Sequence, residues 1–252
     1  MAQGQLDCYT RWQTLSAWWQ SPVGLLLSET ERPVLEQALA PLFGSYLLQC
    51  SAHLEPLPHA DNIRYNVPIG PLGPSIRFEE CAWPIVPQSV DAVLLHHMLE
   101  FAQNPHQLLR EAALTVRPGG HLLIMGLNPW SSWGLSGLIG QEMLKKARML
   151  PAHRVHDWLK LLGFSVEKRK VGCYRPPLAS HSWQEKLNWL DQLGERWQAP
   201  CGGFYLLVAR KLTLGMRMPK PVKRHSLGQL LPAPAVKLSA RTTDKPCKRS
   251  KQ

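Results

Sequence analysis

Apolar residues recur at helical spacing through the first forty positions of the chain. The residues that mark the pattern are Trp12, Trp18, Trp19, Leu35, Leu39 and Leu42. Side chains three and four positions apart share one helix face, so this spacing predicts helices. Ser21-Pro22 separates a short tryptophan-rich helix from a second one, for which Ser28, followed by Glu29 and Glu31, is a candidate start. Residues 1–42 are therefore predicted to form a helical cap.

Short apolar runs alternate with amphipathic helical patterns from residue 43 to residue 212. The predicted strands cover residues 46–50, 63–67, 91–95, 121–125, 164–171 and 203–210. The predicted helices cover residues 104–117, with Asn104 as N-cap, 152–162, with Gly163 as the stop, and 183–193. This alternation predicts an α/β sandwich around a mostly parallel sheet. In such sheets a ligand binds beyond the carboxyl ends of the strands.

The formal net charge of +11 is concentrated at the C-terminal end of the chain. From Gly215 to Gln252 there are ten Lys or Arg and one Asp, which leaves 19 basic and 17 acidic residues before this segment. Residues 213–252, with five Pro, are therefore predicted to form a disordered basic tail. Such a tail either stays solvated or makes weak contact with polyanions, such as a phosphate backbone or an anionic membrane surface.

Six cysteines are scattered along the chain without a CxxC pair or the Cys/His spacing of a metal site. We interpret them as reduced thiols, and we predict no metal. The sequence has no signal-peptide pattern at its N-terminus and no apolar run near the roughly 18 residues of a membrane span. The expected location is the cytoplasm.

A series of short motifs between Glu79 and Leu135 carries a family resemblance. In chain order they are Trp83-Pro84-Ile85, Ser89-Val90-Asp91, Leu99-Glu100, Asn104-Pro105, Leu109, Glu111, Arg117-Pro118-Gly119-Gly120 and Asn128-Pro129. Their order and spacing resemble the second half of type 11 class I methyltransferases, and the resemblance extends over residues 40–212.

The resemblance implies a Rossmann-like methyltransferase sandwich, with a mostly parallel seven-stranded sheet, an antiparallel last strand and helices on both faces. It implies S-adenosylmethionine as the cofactor and transfer of its methyl group to a small organic acceptor that the sequence does not identify. The methyltransferase-like domain would cover residues 43–212, between the helical cap and the basic tail. The alternative is a catalytically inactive methyltransferase-like protein with a binding or regulatory role.

The segment from Gln49 to Glu55 is where this chain departs from the family. The family has an acid and a glycine-rich loop there, and the backbone of that loop lies close to the cofactor. Here Gln49 stands at the position of the acid, and Ser51, His53 and Glu55 stand at the positions of three glycines. The expected cofactor contacts are Gln49, Ser51 and His53. The bulk of His53 and Glu55 leaves three interpretations open: binding through altered contacts, weak binding with a regulatory role, or a non-catalytic relic.

Glu79, Glu80 and Cys81 lie where the family places an acid that accepts a hydrogen bond from the adenine amino group. The resemblance therefore assigns these three residues to the cofactor site. The alternative is a solvated charge pair beside Arg77. Asp91, at the entrance of the predicted strand 91–95, is expected to hold a turn or a sheet edge rather than to take part in chemistry.

His96 and His97 follow the predicted strand 91–95, at the edge where cofactor and acceptor are expected to meet. Side chains alternate along a strand, so one of the two should face the cleft. The ordinary pKa of an imidazole is about 6.5, which suits either residue to act as the catalytic base for an acceptor that must lose a proton. The alternative is a hydrogen-bonded histidine at the start of a helix.

Asn128, Trp130 and Trp133 follow the predicted strand 121–125 at the same edge of the sheet. Their amide and aromatic groups are candidate substrate contacts for a planar or apolar acceptor. The alternative is that the aromatic rings pack the helix that follows.

Overall fold

The computed structural model describes residues 2–51, 56–72, 75–78, 80, 82–139, 142–177, 189, 191, 194 and 200–213. The chain divides into two units, Met1–Met216 and Arg217–Gln252, and the second lies wholly outside the described residues. The predicted disorder of the basic tail therefore stays a prediction. Within the described part of the chain, no helix has both the length and the apolar character needed to cross a membrane.

Two helices precede the sheet, as the apolar spacing predicts. Helix α1 covers Ala2–Trp19 and helix α2 covers Pro22–Leu39. The hydroxyl of Ser21 caps α2, because it accepts a hydrogen bond from the Gly24 amide at 3.2 Å. Pro22 occupies the first turn, where a helix has no use for its missing N–H. The predicted start at Ser28 is wrong, since the helix already begins at Pro22.

A seven-stranded sheet forms the body of the fold. Its strands are β1 Gly44–Ser51, β2 Ile63–Gly70, β3 Ile76–Arg77, β4 Val90–His96, β5 Val116–Leu127, β6 Phe164–Gly172 and β7 Phe204–Lys211. They lie in the order β3-β2-β1-β4-β5-β7-β6. Strand β7 runs antiparallel to β5 and β6, and the other neighbouring pairs are parallel. The predicted parallel sheet with an antiparallel last strand is confirmed.

The described residues after β4 contain four further helices. They are α3 Pro105–Thr115, α4 Ser132–Ile139, α5 Glu142–Lys146 and α6 Ala152–Leu161. Helices α3 and α6 agree with the predicted pattern; α3 packs against β5, and α6 packs against β6 and β7. Gly163, at φ +80°, ends α6 as predicted, whereas the Asn104 side chain makes no capping hydrogen bond to α3. Most of the helix predicted over residues 183–193 falls outside the described residues.

The passage from α3 into β5 differs from its prediction. The helix ends at Thr115 and the strand begins at Val116, so residues 117–120 belong to the strand instead of forming a turn before it. The pairing of β4 with β5 shifts here, and Gly119 adopts φ +81°, a conformation that glycine enters without steric cost. The Pro-Gly-Gly motif therefore forms a bulged start to the strand.

Asp91 joins three strands at their amino ends. Its Oδ2 accepts hydrogen bonds from the backbone amides of Ser45 and Tyr46 on β1, at 2.6 and 2.9 Å. Its Oδ1 lies 2.6 Å from the Arg117 guanidinium of β5. The side chain is buried, so this carboxylate holds β1, β4 and β5 together from within the fold. This is the structural role expected from the sequence.

Candidate active site

The carboxyl ends of β1 and β4 bring together residues that lie far apart in the chain. The two strands are parallel neighbours, and Ser51 at the end of β1 pairs with His96 at the end of β4. The Ser51 hydroxyl lies 3.1 Å from Nδ1 of His96. His97 adopts φ +50°, and its amide donates to the Met125 carbonyl of β5 at 3.1 Å. The structure therefore places both histidines at the edge of the sheet where the sequence predicted them.

Glu31 of α2 reaches this edge and contacts both imidazoles. Its Oε2 lies 2.9 Å from Nε2 of His96, and its Oε1 lies 2.7 Å from Nε2 of His97. Each of the three side chains is at most 2% exposed. We refer to Glu31, His96 and His97 as the His–Glu cluster.

Glu100 contacts the His–Glu cluster through the other nitrogen of His97. Its Oε1 lies 3.1 Å from Nδ1 of His97 and accepts the backbone amide of Leu127 at 2.5 Å. Its Oε2 is buried and has no hydrogen-bond partner among the described residues. A buried carboxylate oxygen without a donor is costly in a medium of low polarity. The charge of Glu100 is therefore only partly balanced.

Trp19 of α1 packs against the cluster. The centroid of its ring lies 5.3 Å from that of His96 and 5.2 Å from that of His97. The indole is almost fully buried. It excludes water from the two imidazoles, and the low polarity strengthens the electrostatic interactions between the charged groups. Both helices of the cap thus contribute to this site.

The charges within the cluster are coupled. Burial alone would raise the pKa of Glu31, but the charge of His97 and the hydrogen bonds to both imidazoles lower that pKa to about 2. Burial alone would lower the pKa of His97, but the nearby carboxylates of Glu31 and Glu100 raise it to about 10. In the absence of a bound cation, Glu31 and His97 therefore form an ion pair at neutral pH, and His97 already carries a proton.

The residues predicted to contact a cofactor are engaged with the protein itself where they are described. Gln49 is buried, and its amide donates to the Pro58 carbonyl at 2.7 Å. Glu80 is also buried, and its Oε2 accepts the Gln103 amide at 2.7 Å. Each of these side chains thus holds a backbone group of a neighbouring segment. Three further predicted contacts, His53, Glu79 and Cys81, lie outside the described residues.

Asn128, Trp130 and Trp133 occupy three different environments. The Asn128 amide donates to the carbonyls of Pro200 and Gly202, at 2.8 and 2.9 Å, and so fixes the segment before β7. Trp133 is fully buried, and its indole N–H donates to a backbone carbonyl at 2.9 Å. Trp130 is 77% exposed. Of the three, Trp130 offers the largest accessible surface to an acceptor.

Glu31 and Glu100 are site residues that the sequence analysis did not identify. Glu31 lies 65 and 66 positions from its two histidine partners, so no local motif joins them. A signal was nevertheless present, because Leu27 and Leu35 stand four positions on either side of Glu31 and all three are buried. An acid in the middle of an apolar helix face indicates a buried partner.

Two neighbouring cavities, both lined by described residues, lie on the side of the His–Glu cluster that faces residues 56–58. A cavity of about 10 Å³ touches Glu31 and His96 and is lined on another side by residues 56–58. A second cavity, of about 280 Å³, shares Arg32 and residues 56–58 with the first and extends to Asp61. The first cavity is about the minimum for one water molecule. The second lies just below the range of about 300–1,000 Å³ typical of ligand pockets.

Comparison with known proteins agrees with this fold. A family model described as a methyltransferase domain, type 11, matches residues 75–124, which run from β3 into β5. A structure from Thermotoga maritima, described as an S-adenosylmethionine-dependent methyltransferase and possible histamine N-methyltransferase, superposes with a TM-score of 0.55. The matched segment and the superposition show that the chain has the class I methyltransferase fold.

The structural likeness extends over most of the chain. The Thermotoga maritima structure is 18% identical, with 79% of this chain and 95% of that one covered. A Haloferax volcanii chain, described as a methyltransferase in complex with the Trm112 activator, has a TM-score of 0.52 and 14% identity, with 73% and 90% covered. At these identities the likeness shows the fold alone.

The curated relatives match shorter parts of the chain. YafS of Escherichia coli, described as uncharacterized, is 34% identical over 161 residues, which are 59% of this chain and 65% of that protein. The ubiquinone biosynthesis O-methyltransferase of Cupriavidus pinatubonensis is 32% identical over 36% of each chain. That of Yersinia pestis is 27% identical over 38% of this chain and 43% of its own. The chain thus spans less than two thirds of the length of these relatives.

Among the described residues, Glu31 and the segment 56–58 lie over the ends of β1 and β4. Glu31 stands directly beyond these ends, and the cavity beside it holds about one water molecule. Residues 52–62 alone connect β1 to β2, and the described part of that connection, residues 56–62, contains no helix. A crossover between parallel strands usually carries one. The described part of this connection therefore lacks the usual crossover helix.

Proposed function

We propose that this domain transfers a methyl group from S-adenosylmethionine to a small organic acceptor. The observation that carries the proposal is the match of a methyltransferase family model to residues 75–124, within a sheet of class I methyltransferase fold. The matched segment contains His96, His97 and Glu100. The region of family likeness therefore contains three of the four residues of the buried polar site, and Glu31 comes from outside it.

We further propose that the acceptor is a hydroxyl group. Two of the curated relatives are O-methyltransferases by name. A hydroxyl has to lose its proton during transfer, which requires a group at the site that takes the proton up. His97 is already protonated at neutral pH, so we assign this role to His96. Trp130, which is exposed beyond β5, is the proposed contact for an apolar or planar part of the acceptor.

The proposal requires the helical cap to act as a movable cover. Trp19 and Glu31 hold α1 and α2 against the end of β4, and the cavity that touches both Glu31 and His96 measures about 10 Å³. Entry of a cofactor would separate Glu31 or the segment 56–58 from His96. We therefore expect cofactor binding to be coupled to movement of the cap.

Calorimetric titration with S-adenosylhomocysteine tests the proposal. We expect one-to-one binding to the wild type, at least tenfold weaker binding to Ser51→Leu, and unchanged binding to Ser45→Leu. Both serines belong to β1, but Ser51 lies at its carboxyl end, whereas Ser45 is exposed at its amino end. The absence of heat and of any thermal shift with the wild type at millimolar ligand would overturn the proposal.

A catalytically silent methyltransferase-like domain is the second candidate. The observation in its favour is that Gln49, at the position of the family acid, already uses its amide on the Pro58 carbonyl. The connection after β1 is also short, and its described residues form no helix. Under this alternative the wild type binds neither S-adenosylmethionine nor S-adenosylhomocysteine. A one-to-one titration that Ser51→Leu abolishes would reject it.

A further inference from the structure

The nitrogen and oxygen atoms of the His–Glu cluster converge on one point. Nε2 of His96 and Nε2 of His97 face the two oxygens of Glu31, at 2.9 and 2.7 Å. One ligand atom from each residue lies within 4.8 Å of the others. Atoms that share one Zn²⁺ ion in tetrahedral geometry lie roughly 3.3–3.6 Å apart, because each stands about 2.0–2.2 Å from the metal. The cluster is therefore close to the spacing of a ligand set.

The partner of His97 Nδ1 determines whether Nε2 of that ring, which faces Glu31, carries a hydrogen in the neutral imidazole. Glu100 is a carboxylate that accepts the Leu127 amide and lies 3.1 Å from this Nδ1, so it takes the hydrogen on Nδ1. In the neutral ring, Nε2 of His97 then directs a lone pair at Oε1 of Glu31. Two lone pairs at 2.7 Å repel each other unless a positive particle lies between them. That particle is a proton or a metal ion.

We propose that Glu31, His96 and His97 bind a divalent first-row transition-metal ion such as Zn²⁺, through both Nε2 atoms and the carboxylate. Imidazole nitrogen suits such ions, whereas Mg²⁺ and Ca²⁺ prefer sites made of oxygen atoms. Two histidines and one glutamate form a known zinc ligand set that keeps a further position open. The chemistry of the donors thus selects the class of ion.

The residues around the cluster hold the imidazoles as a metal site requires. Ligand histidines usually donate their second nitrogen to a carboxylate, a carbonyl or water, which fixes the ring and the tautomer. His97 does so to Glu100, and Nδ1 of His96 faces the Ser51 hydroxyl at 3.1 Å. Glu100 Oε2 has no hydrogen-bond partner among the described residues, so added positive charge nearby would balance this carboxylate better. The φ of +50° at His97, uncommon outside glycine, is the kind of backbone strain that clusters at functional sites.

The small cavity beside the cluster supplies the open position and a route to it. Its volume of about 10 Å³ suits a single water molecule, and both Glu31 and His96 line it. The neighbouring cavity of about 280 Å³ shares Arg32 and residues 56–58 with it. An ion would therefore enter between α2 and this segment.

Ion binding is independent of the proposed methyl transfer and is measured without cofactor or acceptor. One consequence rests on that proposed function: a bound ion would lower the pKa of a ligated acceptor hydroxyl. In that case the ion would favour the ionised hydroxyl, and the proton would pass to water instead of to His96.

Metal content and cobalt spectroscopy on the tag-free full-length protein test the inference. The protein is first stripped with a chelator, then loaded with ZnCl₂ and dialysed. We expect one equivalent of zinc per chain to remain bound. With CoCl₂ we expect a visible absorption spectrum that zinc abolishes. We expect Glu31→Gln and His96→Gln to weaken zinc binding at least tenfold. His121→Gln is the control. His121 lies away from the cluster, where its Nε2 is 3.7 Å from Oε2 of Glu167, so this variant should bind zinc like the wild type.

A proton in place of the metal gives a different set of results. The wild type would then hold no equivalent of zinc and show no cobalt spectrum, which would overturn the inference. Zinc binding that survives both Glu31→Gln and His96→Gln would also overturn it, because the ion would belong to other residues. His96→Gln leaves the contacts among Glu31, His97 and Glu100 in place, and circular dichroism checks that each variant is folded.

Discussion

At the scale of single residues, three of the four buried carboxylates among the described residues have their hydrogen-bonding needs met to different degrees. Glu31 directs one oxygen to each of two imidazoles, and Asp91 binds two amides and a guanidinium. Glu100 uses one oxygen, and its other oxygen has no hydrogen-bond partner among the described residues. A buried charge is tolerated when other groups pair with it. Removing a buried carboxylate therefore destabilises the fold mainly because its former partners stay buried without an acceptor.

Replacing Glu31 with Ala should lower the free energy of unfolding by about 3–5 kcal/mol, because both buried Nε2 atoms would lose their carboxylate and protonated His97 would keep only Glu100 as a charged partner. Glu36→Ala is the matched control on α2. Glu36 is 54% exposed and pairs with Arg32 at 3.8 Å, so its removal should cost about 1 kcal/mol or less. Urea denaturation followed by tryptophan fluorescence measures both. Equal losses would show that the cluster does not stabilise the fold.

The cysteine thiols should differ sharply in reactivity. Burial raises the pKa of Cys173 to about 12 and raises the pKa of Cys50 well above its usual range. Cys201 is exposed. Since the thiolate is the reactive form, iodoacetamide at pH 8 should modify Cys201 in the native protein and leave Cys50 and Cys173 unmodified until denaturant is added. Peptide mapping by mass spectrometry gives the answer, and rapid native labelling of Cys173 would contradict its buried position.

The apolar pattern predicts the elements better than their boundaries. The strand predicted over residues 91–95 is observed as Val90–His96, and the predicted helix 152–162 as Ala152–Leu161. The errors arise where a distant contact decides the boundary. Strand β5 begins at Val116 because β4 pairs with it there, and that long-range pairing leaves no mark in the local pattern.

Asp91→Ala should weaken the junction of β1, β4 and β5. The substitution leaves the Ser45 and Tyr46 amides without their acceptor, and we expect a loss of about 2–4 kcal/mol in the free energy of unfolding. Arg117→Ala should cost less, about 1 kcal/mol, since the arginine is half-exposed. Hydrogen exchange localises the effect: the amides of Ser45 and Tyr46 should exchange faster in Asp91→Ala. Unchanged exchange at both amides would contradict the role assigned to Asp91.

The site is a property of the whole molecule more than of any motif. The sequence predicted the edge of the sheet where Ser51 and His96 meet, because parallel neighbouring strands end together. It did not predict that Glu31 of the cap would complete this edge, since the docking of a helix depends on packing across the fold. Gln49 and Ser51 stand where type 11 methyltransferases have an acid and a glycine. In this protein both side chains contact other parts of the protein itself.

Deletion of residues 217–252 should show that fold stability and zinc binding belong to Met1–Met216 and that polyanion binding belongs to Arg217–Gln252. The truncated chain keeps 19 basic and 17 acidic residues, whereas the full chain carries a net charge of +11. Because the seven-stranded sheet lies entirely within Met1–Met216, we expect the melting temperature and zinc binding to be unchanged. Only the full-length chain should bind heparin, with an affinity that falls steeply as salt rises, because binding to a polyanion releases counterions.

A full-length variant in which the ten basic residues of the tail are replaced by Gln distinguishes charge from chain length. We expect it to elute from heparin with the truncated chain, because phosphate- or sulfate-rich polymers are bound by charge rather than by segment length. Elution of the truncated chain at the same salt concentration as the full-length protein would place the polyanion contact on the unit Met1–Met216 instead of the tail.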